Sequence, residues 1–450
     1  MDLHQAAQGA AESVRVRPGS RWFLATDTDA DGVSAAAVAM VALRRAGHRV
    51  QVRASRDKTE EACRAVFSEP ADGYVFLDKG SSHLPLLAEY GRRLGRPVLV
   101  LDHHGLRGDA EGVHLVNPRA VGLDGSRDAC SATVAVAFAL ALGGKRNLDL
   151  APLGLSGAIG DWQHRPRWQG WNEELVRRAT EAGHVRAEPL PRLPGVTLGD
   201  ALAHGRPPVP GLHGDREACE AFLRRLGVDP EAEVEELDRE ARTRLVSALA
   251  LRHVADGDPA VVDGLVQETL WNVRLGTSLR HVFRIIDACG RDGHAAEGIA
   301  YLLGDRRAKE AALRRFRDCK HALRASLRRL REVGTEARRA CQVHWAEHAP
   351  HTGVVGGLAV EEVLDELRVP LVVLARREDG DVQVSTRGTH ALVGRGLDLA
   401  AAVGRAAASV GREGGGHPVA AGAVVAQDQV DAFLGALDEA LLAQPWMDGP

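Results

Sequence analysis

Aromatic side chains are scarce, with tryptophan, tyrosine and phenylalanine together making 4% of the 450 residues. A long binding channel that relies on successive aromatic faces has little to draw on here. Cysteine is sparse as well. The six (Cys63, Cys130, Cys219, Cys289, Cys319 and Cys341) lie far apart and form no CxxC pair, which excludes a disulfide framework and a thiolate zinc site and leaves them as reduced, buried fillers. Lysine supplies only five of the 57 basic residues, a skew towards arginine that carries no mechanism by itself. No run approaches the ~20 uncharged apolar residues of a membrane span. The opening MDLHQAAQGAAESVRVRPGS lacks the charged-then-apolar plan of a secretory signal, so the expectation is a cytoplasmic protein without a membrane partner. A net charge of -4 neither announces a nucleic-acid binder nor excludes a local basic groove.

What is present fits a globular chain, at 45% apolar and 26% charged residues. Chains longer than ~250 to 300 residues usually divide into domains. From Arg21, short apolar runs (Trp22 to Ala25, Val50 to Arg53, Tyr74 to Leu77, Pro97 to Leu101) alternate with helical stretches such as VSAAAVAMVALRRAG. This order predicts a parallel sheet covered by helices, with ligands at the carboxyl ends of its strands. A Pro- and Gly-rich stretch (189 to 214) then gives way to helical patterns, the longest being DRRAKEAALRRFRDCKHALRASLRRLREVG. Its stripe of Leu313, Phe316, Leu323, Leu327 and Leu330 is set in arginines, which read as a solvated face or as the electrostatic wall of a phosphate-binding cleft. From about Val354 a second α/β pattern begins, in which GVVGGLAV, VPLVVLAR and VQVSTRG read as strands. The expected domains are 1–195, a mostly helical connection 196–345, and 346–450.

Acidic and histidine residues stand at the ends of the first run of strands. ATDTDADGVSAAA presents Asp27, Asp29 and Asp31 at alternate positions before Gly32, and crowded carboxylates resist joint ionisation unless cations sit among them. DxDxDG also opens the EF-hand calcium loop, but that loop needs a Glu at its twelfth position, here Val38, and a helix before it, where this chain reads as a strand. Asp78 in YVFLDKGSS, Asp102, His103 and His104 in VLVLDHHG, and Asp161 in SGAIGDWQ also follow apolar or small-residue runs. Mixed Asp and His ligation suits Mn(II) or a similar ion, and two such ions ~3.5 to 4 Å apart form a clamp for phosphate esters.

ATDTDADGVSAAA, VFLDKGSS, VLVLDHHG and GAIGDWQ resemble the four successive motifs of the DHH phosphoesterase superfamily, and GREGGGHPVAAGA resembles the GGGH signature of its associated C-terminal domain. DADG in the first motif, DACGR at Asp287 to Arg291 and STRG at Ser385 to Gly388 bring the chain nearest to RecJ-type single-strand exonucleases, particularly the compact archaeal ones. The resemblance implies an N-terminal parallel-sheet DHH domain, a helical connecting region, a smaller C-terminal α/β domain and a metal site in the cleft. It also implies two divalent ions, Mn(II) first and Mg(II) second. Asp27 and Asp29 would serve one, Asp31, His103 and Asp161 the other, with Asp78 bridging. Asp102 would orient a ligand, and His104 would face the scissile phosphate. Arg291, Arg387, Gly414, Gly415, Gly416 and His417 would hold substrate phosphates.

Two departures from the family pattern stand out: Asp287 where Asn is usual, which weakens the assignment of Arg291, and Lys79 after the bridging aspartate, expected either to point away from the metals or to neutralise them in part. Trp162 beside Asp161 reads as a core residue, with stacking on a terminal base as the alternative. The implied activity is release of mononucleotides from single-stranded DNA or RNA, with GINS-like replication or repair proteins as partners. The alternatives are an oligoribonucleotide or small-phosphoester hydrolase and a DHH-fold replication scaffold, with a pyrophosphate hydrolase behind both.

Overall fold

The computed structural model describes residues 2–165, 167–193, 195–347, 351–362 and 368–447. The chain divides into two compact units, one of Met1–Pro189 with Glu268–Arg317 and one of Leu190–Gln267 with Asp318–Pro450. The 196–345 region, expected as a helical connection, contributes to both.

The first unit carries the expected parallel sheet. Its leading elements are α1 (Leu3–Arg15), β1 (Arg21–Thr26), α2 (Ala30–Arg45), β2 (Arg49–Ala54), α3 (Glu60–Val66), β3 (Gly73–Leu77), α4 (Leu84–Leu94), β4 (Val98–Leu101), β5 (His114–Val116), α5 (Ser131–Gly143) and α6 (Ala151–Gly160). The strands run β2-β1-β3-β4-β5, all parallel. Alternation along each strand divides the core. Phe23, Ala25, Tyr74, Phe76, Val98 and Val100 pack with Leu84 and Leu87 of α4 and Cys63 and Val66 of α3. On the other side α2, α5 and α6 pack on one another, and the alanines that fill α2 and α5 let these helices approach closely.

Register then does the positioning. Thr26 pairs with Leu77, and Leu77 with Leu101, so the residues that follow (Asp27, Asp78 and Asp102) leave three adjacent strands at one level. Neighbouring strands lie ~4.8 Å apart, which brings the three carboxylates together before any side-chain detail is considered. The chain departs from β1 towards β2 and from β3 towards β4. That reversal makes the crevice where open α/β sheets bind ligands.

The second unit has a six-stranded mixed sheet in the spatial order Gly414–His417, Ala420–Ala426, Asp381–Arg387, Leu371–Arg376, Gln342–Trp345, Glu336–Ala337. Helices Leu399–Ser409 and Val430–Leu442 cover one face through Val403, Phe433, Leu437 and their neighbours. The run GVVGGLAV is a helix (Thr352–Glu362), not the expected strand. Val355 and Ala359, one turn apart, are buried with Leu371 and Val373 of the sheet, and a short buried apolar run does not distinguish the two structures by periodicity.

The long basic helix is observed at Arg306–Val333. Acidic residues meet several of its cations: Arg315 pairs with Asp292 and Glu297 at 2.8 and 2.6 Å, and Arg324 with Asp200 at 3.0 Å. Those pairs favour a packing role for these cations over a phosphate-binding wall. Among the described residues no helix is long and apolar enough to cross a membrane.

Candidate metal centre

Asp27, Asp29, Asp31, Asp78, His103 and Asp161 all reach one end of the parallel sheet of the first unit. Oxygens of Asp27, Asp29 and Asp78 lie within 4.8 Å of one another, and ligand atoms of Asp31, His103 and Asp161 form a second group on the same criterion. His103 Nε2 joins the two, lying 3.5 Å from Asp78 Oδ1, 3.3 Å from Asp161 Oδ2 and 3.8 Å from Asp31 Oδ2.

Each side chain is held by local chemistry. Asp29 caps α2 by accepting from the Gly32 amide at 2.9 Å. Asp31 accepts from the Ser131 and Ala132 amides, both at 2.8 Å, at the N-terminus of α5, where the helix dipole favours a carboxylate. Asp78 has φ 58, a left-handed backbone that non-glycine residues adopt at a cost, and Ser131 Oγ donates to its Oδ1 at 3.0 Å. Asp161 follows α6, so the fourth acidic motif comes from a helix end and not from a strand.

The histidine pair divides its work through Asp102. Asp102 is 1% exposed and accepts from Ser81 N (3.0 Å), His103 N (2.8 Å), His104 N (3.2 Å) and His104 Nδ1 (2.8 Å), so its oxygens are spent on orienting neighbours. His103 Nδ1 lies 2.5 Å from the Gly125 carbonyl. A carbonyl only accepts, so Nδ1 carries a proton and Nε2 is the nitrogen turned to the carboxylates. Gly125 permits that approach because a Cβ there would lie 2.2 Å from His103 O.

The electrostatics call for cations. Burial, reinforced by Asp78, raises Asp29 and Asp31 above the ordinary carboxylate range, Asp31 to about 6. Burial and then Asp31 raise Asp161 in the same way. Asp78 goes the other way, since burial pushes it up but Lys58, His103 and His104 more than compensate. Burial opposes a proton on His103, yet Asp78, Asp161 and Asp31 outweigh it and raise the imidazole well above its usual value. Asp78 Oδ2 and Asp161 Oδ2 are buried and, among the described residues, accept no hydrogen bond. Unsatisfied buried carboxylate oxygens among Asp and His donors fit divalent ions such as Mn(II).

Lys58 is the residue that the motifs did not reveal. Its Nζ lies 2.6 Å from Asp27 Oδ2 and 3.9 Å from Asp78 Oδ2. Lys79, the departure noted above, turns away instead and donates to the Ser55 and Asp57 carbonyls at 2.6 and 3.2 Å. An ammonium on the carboxylates that would hold a dication competes with it. Lys58→Ala is therefore expected to tighten Mn(II) binding about 10-fold, roughly 1.4 kcal/mol. Isothermal titration checks this, and unchanged or weaker binding would contradict it.

The remaining expected residues lie elsewhere. Arg291 is in the first unit at the end of helix Leu279–Arg291, and its Nε donates to Asp287 at 2.6 Å, so the Asp that replaces Asn engages the arginine directly. Arg387, Gly414, Gly415, Gly416 and His417 are in the second unit. Arg387 and His417 both stand opposite Ala420, from either side of the strand that carries it, and so share one level of the sheet. Trp162, expected in the core, is 40% exposed.

Comparison with known proteins matches residues 22–157 to the DHH family, N-terminal domain, and residues 340–443 to the DHHA1 domain. An uncharacterized protein of Methanocaldococcus jannaschii is 27% identical over 428 residues, which cover 92% of this chain and 91% of that one. RecJ from Thermus thermophilus, solved with manganese, shares the fold with a TM-score of 0.60 at 20% identity; the match covers 98% of this chain but 55% of RecJ. A manganese-bound exonuclease RecJ gives 0.59 at 19% identity, over 100% of this chain and 97% of the other. CDC45 from Entamoeba histolytica gives 0.61 at 11% identity over 98% and 99%.

Proposed function

Because this chain belongs to the DHH family of phosphoesterases, with a DHHA1 domain and a RecJ-like fold, we propose that it is a metal-dependent exonuclease that releases mononucleotides from single-stranded nucleic acid. The observation that carries the reading is the pair of ligand groups, Asp27 with Asp29 and Asp31 with His103 and Asp161, that meet at Asp78. When bound there, two divalent ions supply Lewis acidity and an ionisable water for in-line displacement at phosphorus.

The chain's own groups do the rest. Asp31 and Asp78 are fixed by α5, His103 by Gly125, and His104 by Asp102, so the donors are arranged before substrate arrives. The His104 side chain is 34% exposed, and its ring is assigned to the scissile phosphate. Arg387 and His417, with the glycines at 414 to 416 of the second unit, are assigned to substrate phosphates, for which the planar guanidinium suits bidentate contact. A phosphate contact by Arg291 has to compete with Asp287.

A replication scaffold without catalysis is the second reading, favoured by the fold shared with CDC45. Retention of all six metal-binding side chains argues against it as the sole function. The deciding experiment incubates the protein and Mn(II) with 5'-labelled and 3'-labelled single strands of DNA and RNA of one sequence. Stepwise release of mononucleotides is expected, with the first label released giving the polarity. Intact strands alongside hydrolysis of dinucleotides would place the substrate among small phosphoesters, and no hydrolysis of either would leave the scaffold.

A further inference from the structure

The turn after α6 displays a side chain that the metal centre does not use. Among the described residues only two without a glycine's freedom have positive φ, Asp78 at 58° and Trp162 at 61°. The left-handed backbone is disfavoured for any residue with a Cβ, so the surrounding structure must hold it. Both neighbours of Trp162 are pinned. Asp161 belongs to the ligand group of Asp31 and His103. Gln163 is 3% exposed, its Nε2 donates to the Gly125 carbonyl at 2.9 Å, and its Oε1 accepts from Asn172 at 2.7 Å. That Gly125 carbonyl is the same one that orients His103.

A tryptophan between two such anchors is the largest hydrophobic side chain available, yet it is 40% exposed while Trp22 is fully buried. The Arg165 guanidinium lies 4.2 Å from the ring centroid. An exposed indole held in a fixed direction, with a cation on one face, is suited to a flat, electron-rich partner on the other.

We propose that Trp162 is the stacking platform for the terminal nucleobase of the strand, sandwiching it against the ring face opposite Arg165 and so setting the end of the chain at the metal centre. The inference rests on the exonuclease reading. Base stacking on an aromatic face tolerates any sequence, so the platform would select for a base at the terminus without selecting which one. It is a positioning role, in which Trp162 touches the substrate base and leaves the reacting phosphate to Asp161 and its partners.

The test measures steady-state kinetics with Mn(II) on a single strand ending in an ordinary nucleotide and on the same strand ending in an abasic residue. Wild type, Trp162→Ala and Trp162→Phe are compared, with Mn(II) affinity measured in parallel. Trp162→Ala is expected to raise KM for the ordinary end by about 10-fold or more with little change in kcat. Trp162→Phe should recover most of that loss, and the abasic end should give wild type and Trp162→Ala the same KM. Equal KM values on the ordinary end, equal penalties on both ends, or weakened Mn(II) binding in Trp162→Ala would each overturn the platform. If wild type cleaves neither strand, the exonuclease reading fails by itself. The platform then stands or falls on whether wild type binds a nucleoside monophosphate more tightly than ribose 5-phosphate and Trp162→Ala loses that preference.

Discussion

Asp78→Ala is expected to lower phosphodiester hydrolysis by more than about 1,000-fold, at least ~4 kcal/mol of transition-state stabilisation, while the protein stays folded. Asp78 belongs to the ligand group of Asp27 and Asp29 and lies 3.5 Å from His103 of the other group, and it is held in a left-handed backbone that the fold has to enforce. Its removal relieves Asp29 and Asp31 of a repelling charge but takes from Lys58, His103 and His104 the carboxylate that faces them, and the hydrogen bond from Ser131 is lost. Thermal denaturation checks the claim without relying on activity. Mn(II) at 100 times its Kd adds about 2.7 kcal/mol to a protein that binds it only when folded. The wild-type Tm should therefore rise by several degrees with Mn(II), and the Asp78→Ala Tm should not. A variant that still hydrolyses and is still stabilised would show that Asp78 bridges nothing.

Gly290→Ala, a change of one methyl group outside the metal ligands, is expected to destabilise the protein by about 3 kcal/mol and to impair hydrolysis with it. Gly290 belongs to the stretch DACGR on helix Leu279–Arg291, where a Cβ would lie 1.6 Å from the Thr28 carbonyl oxygen and 2.8 Å from its carbon. Backbone meets backbone there, so no side chain can rotate away. The helix must retreat or the turn that carries Asp27 and Asp29 must move. The arginine at the end of DACGR drew attention as a phosphate contact, but the stretch also braces the first acidic turn through its glycine. Denaturant unfolding with activity measured on the folded fraction checks the expectation. A stability loss below 1 kcal/mol with normal hydrolysis would show that the contact gives way freely.

Much of this centre was legible in the sequence because parallel-sheet physics is local. Apolar runs ending in acids mark strand ends, and pairing Thr26 with Leu77 and Leu77 with Leu101 puts the residues that follow side by side. The α/β class and the grouping of Asp27, Asp29, Asp31, Asp78, His103 and Asp161 followed from that pattern and from the resemblance it supported. Side chains that arrive from elsewhere were not legible. Lys58 lies in a loop with no motif of its own, and only the three-dimensional course of the chain brings its ammonium to Asp27. Gln163 and Gly125 act on His103 through backbone carbonyl chemistry that leaves no residue-type signature. Trp162 looked like core because a large apolar ring usually is, and its positive φ is invisible in the sequence. The 353–360 run misled for another reason: buried on a sheet face, it satisfies a strand and a helix equally well.

The central claim is that one cluster in the first unit holds two divalent ions through a shared aspartate. Its most direct test is the number and coupling of Mn(II) ions bound per chain, read by electron paramagnetic resonance during titration of the wild-type protein. Two equivalents with a magnetically coupled spectrum are expected in the wild type, and the binding is lost in Asp78→Ala. A single equivalent, or two that show no coupling, would contradict the account.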